Sequence, residues 1–293
     1  MRPPWMERPT IAGRSLKFVI LTAIVLIVLY PFGLAVGTSL MGRAESIANG
    51  GSYVLFPNHP TLEAYQLILS GGAVTRSVLL TIGITLAGTA LSLICTVFLG
   101  YALSRRGMLG GKPILLMVLA TFLFSPGMIP SYLMVKELGM IDTYQSLIVP
   151  VLVNAFNVVV VRAFFQNLPD ELFEAARMDG ASEWRMLWRI ALPLSKAVIA
   201  VVGLFYAVSY WNTFFNAILY INDQTMHPIQ VVLRQYIFRG SVAQGTDVAI
   251  VRDLPASSVQ MAVLIIALVP ILAAYPFLQK YFTKGVLTGA IKG

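Results

Sequence analysis

The chain has 293 residues, of which 57% are hydrophobic and only 12% charged, with a formal net charge of +8 and a mean hydropathy of +0.78. Charged residues stand at roughly half the share of an ordinary soluble domain, about 25%, which is too few to coat a globule of this size. High hydrophobicity excludes a disordered chain, and the lone Cys95 excludes a disulfide framework. A polytopic membrane protein remains, in which the basic balance belongs to cytoplasmic loops rather than to nucleic acid.

Six stretches lack Asp, Glu, Lys and Arg: 18–42, 77–104, 113–135, 143–161, 197–222 and 254–279. Each is long enough to cross a bilayer core of about 30 Å as a helix, and backbone facing lipid must satisfy its hydrogen bonds internally. The expected fold is therefore all-α, with six transmembrane helices over about 18–42, 77–104, 113–135, 143–162, 196–222 and 254–279. They form one membrane domain, 18–281, between an N-terminal segment, 1–17, and a C-terminal tail, 282–293.

The first span follows Arg2, Arg8, Arg14 and Lys17 but is too long for a signal peptide. It reads as an uncleaved helix, kinked or ended near Pro31, with Gly33 and Gly37 forming a Gly-x-x-x-Gly pair for a close helix contact. Thr61 reads as the cap of a short helix in the outer loop 43–76. Pro126 and Pro130 are able to bend or break span three, and Pro270 span six. With both termini on one side, that side holds fifteen of the 21 Lys and Arg residues, which places it in the cytoplasm.

The membrane cores hold no ionisable carboxylate, amine, guanidinium or imidazole group, unlike those of proton-coupled carriers. His59 and His227 read as solvated outer-loop residues without metal-ligand spacing. Neither a phosphate-binding P-loop nor a Gly-x-Ser-x-Gly elbow is present, so the energy for any pumping must come from a partner.

The loop 167–193 carries the most information. Pro169, Asp170 and Glu171 suit a helix start. Gly180 suits a left-handed helix end, and Ser182 with Glu183 opens a second helix. Trp184, Leu187, Trp188 and Ala191 then share an apolar face, and Pro193 opens span five. Physics alone leaves two readings open, an amphipathic helix on the headgroups and a docking surface for a partner.

Glu174, Ala175, Ala176, Gly180, Ile190, Leu192 and Pro193 stand at the fixed positions of Glu-Ala-Ala, three residues, Gly, nine residues, Ile-x-Leu-Pro. This resembles the signature loop of ABC-importer permeases. The run Tyr210–Asn222 and the tail Tyr275–Gly293 are similar to the carbohydrate-uptake branch, which includes the smaller permease of the maltose importer. The resemblance implies a type I importer-permease fold that moves a carbohydrate, expected to be an oligosaccharide, across the cytoplasmic membrane. It implies that Glu174 and the turn Met178, Asp179, Gly180 and Ala181 contact a separate ATPase subunit, with Ile190, Leu192 and Pro193 completing the coupling helices. It also implies a second permease, two ATPase subunits holding ATP and Mg, and an extracytoplasmic binding protein. This chain is then neither an enzyme nor the holder of a cofactor or metal.

Asn154 and Asn157 in span four, with Tyr206, Tyr210, Trp211, Asn212, Phe214 and Asn216 in span five, are candidates for a substrate path. Amides in a membrane face other helices or water, and aromatic faces suit sugar rings. The same residues also serve as helix glue and interface anchors. Alternatives are the same architecture importing a peptide or polyamine, a proton-coupled carrier, or an integral membrane enzyme.

Overall fold

The computed structural model describes residues 11–70, 72–105, 107–239 and 256–290. These are helical throughout, apart from loops and one isolated bridge between Met41 and Pro60. The chain divides into two compact units, residues 1–72 with 236–266 and residues 73–235 with 267–293. Among the described residues three helices are long and apolar enough to cross a membrane, or five when two bent helix pairs each form one span.

In the first unit, α1 (Ile11–Ser39) runs through Pro31 without ending. The Gly33 and Gly37 pair admits a loop rather than a helix: a Cβ at Gly33 would collide with the Leu55 side chain, and one at Gly37 with the Val54 and Leu55 carbonyls. Thr38 Oγ1 accepts from the Val54 N–H at 3.0 Å there. Helix α2 (Arg43–Ala48) follows, then α3 (Glu63–Ser70), whose first carbonyl acceptor is Leu62. Thr61 therefore stands one position outside the cap expected of it.

The second unit is built on α4 (Ala73–Ser104), the longest of its complete helices. Span three divides into α5 (Gly111–Leu123) and α6 (Met128–Glu137), separated where Pro126 and Gly127 interrupt the hydrogen-bond ladder. Span four is bent by 50° between α7 (Gln145–Ile148) with its 3₁₀ turn Val149–Val151 and α8 (Ala155–Gln166). The loop beyond holds α9 (Asp170–Met178), α10 (Glu183–Met186), a π turn (Leu187–Ala191) and α11 (Leu192–Leu194). An 83° bend at Ser195 then starts α12 (Lys196–Trp211). Span five stops at Asn212–Phe214 and resumes as α13 (Phe215–Tyr220).

Two more helices follow among the described residues, α14 (Ile229–Arg239) and α15 (Ala256–Ala290), and α15 runs through Pro270 without the break expected there. Residues read as a separate tail thus extend the last helix as far as Ala290, and 291–293 lie outside the described residues.

Helix α4 packs against α8 and α12 along a seam of small and hydroxyl residues. The Ser92 and Tyr210 hydroxyls share a hydrogen bond of 2.8 Å, and those of Thr96 and Tyr206 one of 2.7 Å. Tyr206 also accepts from the Asn154 N–H at 3.0 Å. A Cβ at Gly88 would sit 2.7 Å from the Tyr210 ring, whereas Gly83 on the same helix faces open space. Gly83→Ala should therefore stabilise the protein by up to about 1 kcal/mol through helix propensity. Gly88→Ala should destabilise it by about 1–3 kcal/mol through overpacking. Thermal unfolding in detergent checks the opposite signs.

Candidate functional site

The loop after α8 folds as two helices around one tight turn. Helix α9 ends in a Schellman arrangement: the Ala181 N–H donates to the Ala176 carbonyl at 2.8 Å and the Gly180 N–H to the Arg177 carbonyl at 2.9 Å. Gly180 takes φ +74°, the left-handed conformation expected of it, and a Cβ there would meet nothing within 4 Å. Its requirement is conformational rather than steric. Ser182 then caps α10 by accepting from the Arg185 N–H at 3.4 Å.

The apolar face expected of Trp184, Leu187, Trp188 and Ala191 is divided. Leu187 and Ala191 are buried together with Met186, while Trp184 and Trp188 are 61% and 52% exposed. The π turn over Leu187–Ala191 shifts the register that a regular 3.6-residue repeat assumes. Trp184 instead pairs with Phe98 of α4, ring centroids 5.5 Å apart, and with Trp188 at 5.8 Å.

Tyr101 of α4 and Arg105, the residue after that helix, fasten this loop, and one further ion pair closes the loop on itself. Glu183 Oε2 accepts from the Tyr101 hydroxyl at 2.9 Å, and Oε1 accepts from Arg177 Nη2 at 3.0 Å. The Arg105 guanidinium lies over the Phe173 ring at 3.6 Å and the Tyr101 ring at 4.4 Å. Tyr101 meets Phe165 of α8 edge-on at 5.7 Å, and Phe173 is buried beside it. Burial pushes the Glu183 carboxyl up, but the hydrogen bonds from Arg177 and Tyr101 outweigh it and hold its pKa below the usual glutamate value.

Beside these ties lies a cavity of about 330 Å³, lined by Ser104, Arg105, Phe165, Gln166, Asp170, Phe173, Glu174 and Arg177. Glu174 thus shares a recess with cations and a second carboxylate. Met178 at the tip is 89% exposed, Ala175 and Asp179 are exposed, and Ala176 and Ala181 pack against the core. Ile190 and Leu192 also pack there, and Pro193 is exposed.

The substrate-path candidates do not share one surface. Asn157, Tyr206, Tyr210 and Trp211 are buried, and the two tyrosine hydroxyls are engaged with α4. Asn154 caps α8 by accepting from the Asn157 N–H at 3.1 Å. Asn212 is exposed and donates to the Val208 carbonyl of its own helix. Asn216 is half-buried, and Phe214 carries the Arg234 guanidinium 5.0 Å from its ring. The Trp211 indole N–H is buried with no hydrogen-bond partner among the described residues.

Asp142 gave no signal in the sequence, and His227 gave a misleading one. Asp142 has φ +57° and accepts from the Asn222 backbone N–H, the Asn222 side chain at 2.9 Å and the Asp223 N–H at 3.2 Å, joining the segment before α7 to the end of α13. The Asn222 bonds hold its carboxyl below the usual aspartate value. His227 is only 8% exposed, with Nε2 3.3 Å from the Ile221 carbonyl and Nδ1 3.4 Å from the Gln235 amide. It is therefore a hydrogen-bonded interior residue, not the solvated one expected; His59 is exposed as expected.

Residues 109–288 match the family described as "Binding-protein-dependent transport system inner membrane component". The chain belongs to this family and is an integral inner-membrane permease component. It is similar to Protein LplC of Bacillus subtilis, 46% identical over 91% of this chain and 90% of that one. It is also similar to the polygalacturonan/rhamnogalacturonan transport system permease protein YtcP of the same organism, 41% identical over 92% and 94%. A chain of a bacterial ABC transporter involved in the import of the acidic polysaccharide alginate superposes with a TM-score of 0.87, at 30% identity, over 96% of this chain and all of that one.

Two outcomes follow for the loop. In Gly180→Val the left-handed turn should be strained by about 1–2 kcal/mol, and ATP-driven uptake should fall sharply while membrane insertion persists. Gly180→Asn should retain most of the uptake, because Asn tolerates that conformation. The Glu183 tie should be fully present above the usual glutamate pKa and lost as pH falls through the lowered value. The thermal-stability gap between wild type and Glu183→Gln, at most about 1 kcal/mol for an exposed pair, should therefore close on acidification.

Proposed function

We propose that this chain is one of the transmembrane subunits of an ATP-driven importer that carries an oligosaccharide into the cytoplasm. The loop 167–193 is the lever that an ATPase subunit moves. The observation that carries this reading is the loop itself: an exposed tip at Met178, a rigid Gly180 turn, and a base tied by Tyr101 and Arg105 to the helix that runs through the membrane domain. A surface-lying amphipathic helix has no need of such ties.

Six spans fit the described helices when α5 and α6 count as one broken span: α1, α4, α5 with α6, α7 with α8, α12 with α13, and α15. Both termini then face the cytoplasm, in keeping with the Lys and Arg distribution. ATP hydrolysis belongs to two partner ATPase subunits, a second permease completes the path, and an extracytoplasmic binding protein delivers the cargo. The family description and the carbohydrate named for a relative and for a structural neighbour support this assembly and this cargo class. Acidic sugars fall within it, since the alginate importer's cargo is an acidic polysaccharide.

In the cycle, ATP binding closes the ATPase pair around Met178 and Glu174 of each coupling loop. Because Glu183 and Phe173 are fastened to Tyr101 and Arg105, the loop cannot pivot alone, and α4 moves with it. Tyr206 and Tyr210 pass that displacement to α12. Hydrolysis then restores the inward-facing state.

A cysteine at Met178 should crosslink to the co-purifying ATPase in the assembled complex. Proteoliposomes holding the complex and its binding protein should take up oligosaccharide only with ATP inside. Uptake of a peptide or polyamine instead would keep the architecture and change the cargo, and uptake that follows a proton gradient without ATP would refute the reading.

A further inference from the structure

A second cavity, of about 560 Å³, opens between the end of α4, the start of α5 and α8. Its volume falls in the range of small-molecule sites. Among the described residues three cations line it, Arg105, Lys112 and Arg162, and no carboxylate does. Arg162 is held in place by its Nε, which donates to the Leu103 carbonyl at 3.0 Å. Arg105 Nε and Nη2 are buried against aromatic rings with no hydrogen-bond partner among the described residues. The cavity therefore concentrates positive charge that none of the described residues lining it neutralises.

The remaining wall is apolar. Met108 and Leu109 line it from a turn held by Gly107 and Gly110, which take φ +90° and +76°, and Leu109 is 96% exposed. Leu115 lines it from α5, and the next two residues, Leu116 and Met117, are 66% and 68% exposed as that helix continues. Cations in the lining, with bare apolar side chains running on along one helix, match a phosphate headgroup and the acyl chain attached to it. The adjoining 330 Å³ recess differs, because it mixes Asp170 and Glu174 with Arg105 and Arg177 and so suits a protein surface of mixed charge.

We infer that the 560 Å³ cavity is a binding site for one anionic phospholipid, its phosphate held by Lys112, Arg162 and Arg105 and its acyl chain lying along α5. Placing the site at the cytoplasmic leaflet rests on the orientation proposed above; the charge and shape of the cavity do not. Because Arg105 also stacks on Phe173 of the coupling loop, a bound lipid braces the base of the lever.

The test is native mass spectrometry of the purified importer complex, titrated with phosphatidylglycerol and, separately, with phosphatidylcholine. Wild type should retain one phosphatidylglycerol in preference to phosphatidylcholine. Lys112→Gln should weaken retention about fivefold, the effect of removing one charge near an anionic surface, while Lys112→Arg restores it and Lys17→Gln on α1 leaves it unchanged. Equal retention of the two lipids, or equal retention by wild type and Lys112→Gln, overturns the proposal. Displacement by millimolar inorganic phosphate also overturns it, in favour of a soluble-anion site. Retention by the isolated chain but not by the assembled complex overturns it as well, by making the cavity a subunit contact. Whether an ATPase co-purifies at all is read in the same spectra, so failure of the importer reading is distinguished from failure of the lipid site.

Discussion

A hydroxyl buried in a membrane has no water to turn to, and the seam between α4 and α12 is built around that constraint. Tyr206 and Tyr210 would each be a liability on an apolar helix. Thr96 and Ser92 stand across from them, and Gly88 leaves room for the Tyr210 ring. Each such bond is worth only about 0.6 kcal/mol in measured membrane proteins. Its larger effect is on register, since sliding either helix by one residue strands several polar groups at once. The second unit can therefore pass a displacement from one helix to the next.

The loop 167–193 extends the same logic past the end of α4. Tyr101 sits on α4 a little over one helical turn beyond Thr96, and its hydroxyl reaches Glu183 as Thr96 reaches Tyr206. Arg105, the first residue beyond α4, closes over Phe173. A series of contacts thus runs from the seam along α4 and just past its end to the loop. The tip, Met178 to Gly180, stays exposed, as does Glu174 on its flank. The bend at Ser195 turns the chain from the loop into α12, so both helices of the seam are joined to the lever.

Much of this was legible in the residues. Gly180 and Ser182 act locally, through backbone conformation and a short hydrogen bond, and local chemistry is what a sequence displays. Six apolar stretches were equally plain, but hydropathy does not register a break between two apolar halves. That is why Asn212–Phe214 splits span five without notice, whereas Pro126 announced the break in span three. Tyr206 and Tyr210 drew attention as polar residues in a membrane, yet their partners lie 110 and 118 residues away. From one strand of sequence a path-lining tyrosine and a packing tyrosine look alike. His227 was misread for the same reason, its two partners being supplied by the fold around it. The π turn at Leu187–Ala191 breaks the regular repeat that would set Trp188 beside Leu187 and Ala191.

In the proposed cycle the loop and α4 move as one body. Spin labels at Met178 and at Leu91, a half-exposed position on α4, measure this directly in the assembled importer in nanodiscs, by pulsed electron resonance with and without ATP. A rigid lever keeps that distance the same in both states, while the distance from Met178 to its counterpart on the second permease changes. A Met178–Leu91 distance that shifts with nucleotide would show the loop pivoting on its own, and the ties through Tyr101 and Arg105 would then not transmit the stroke.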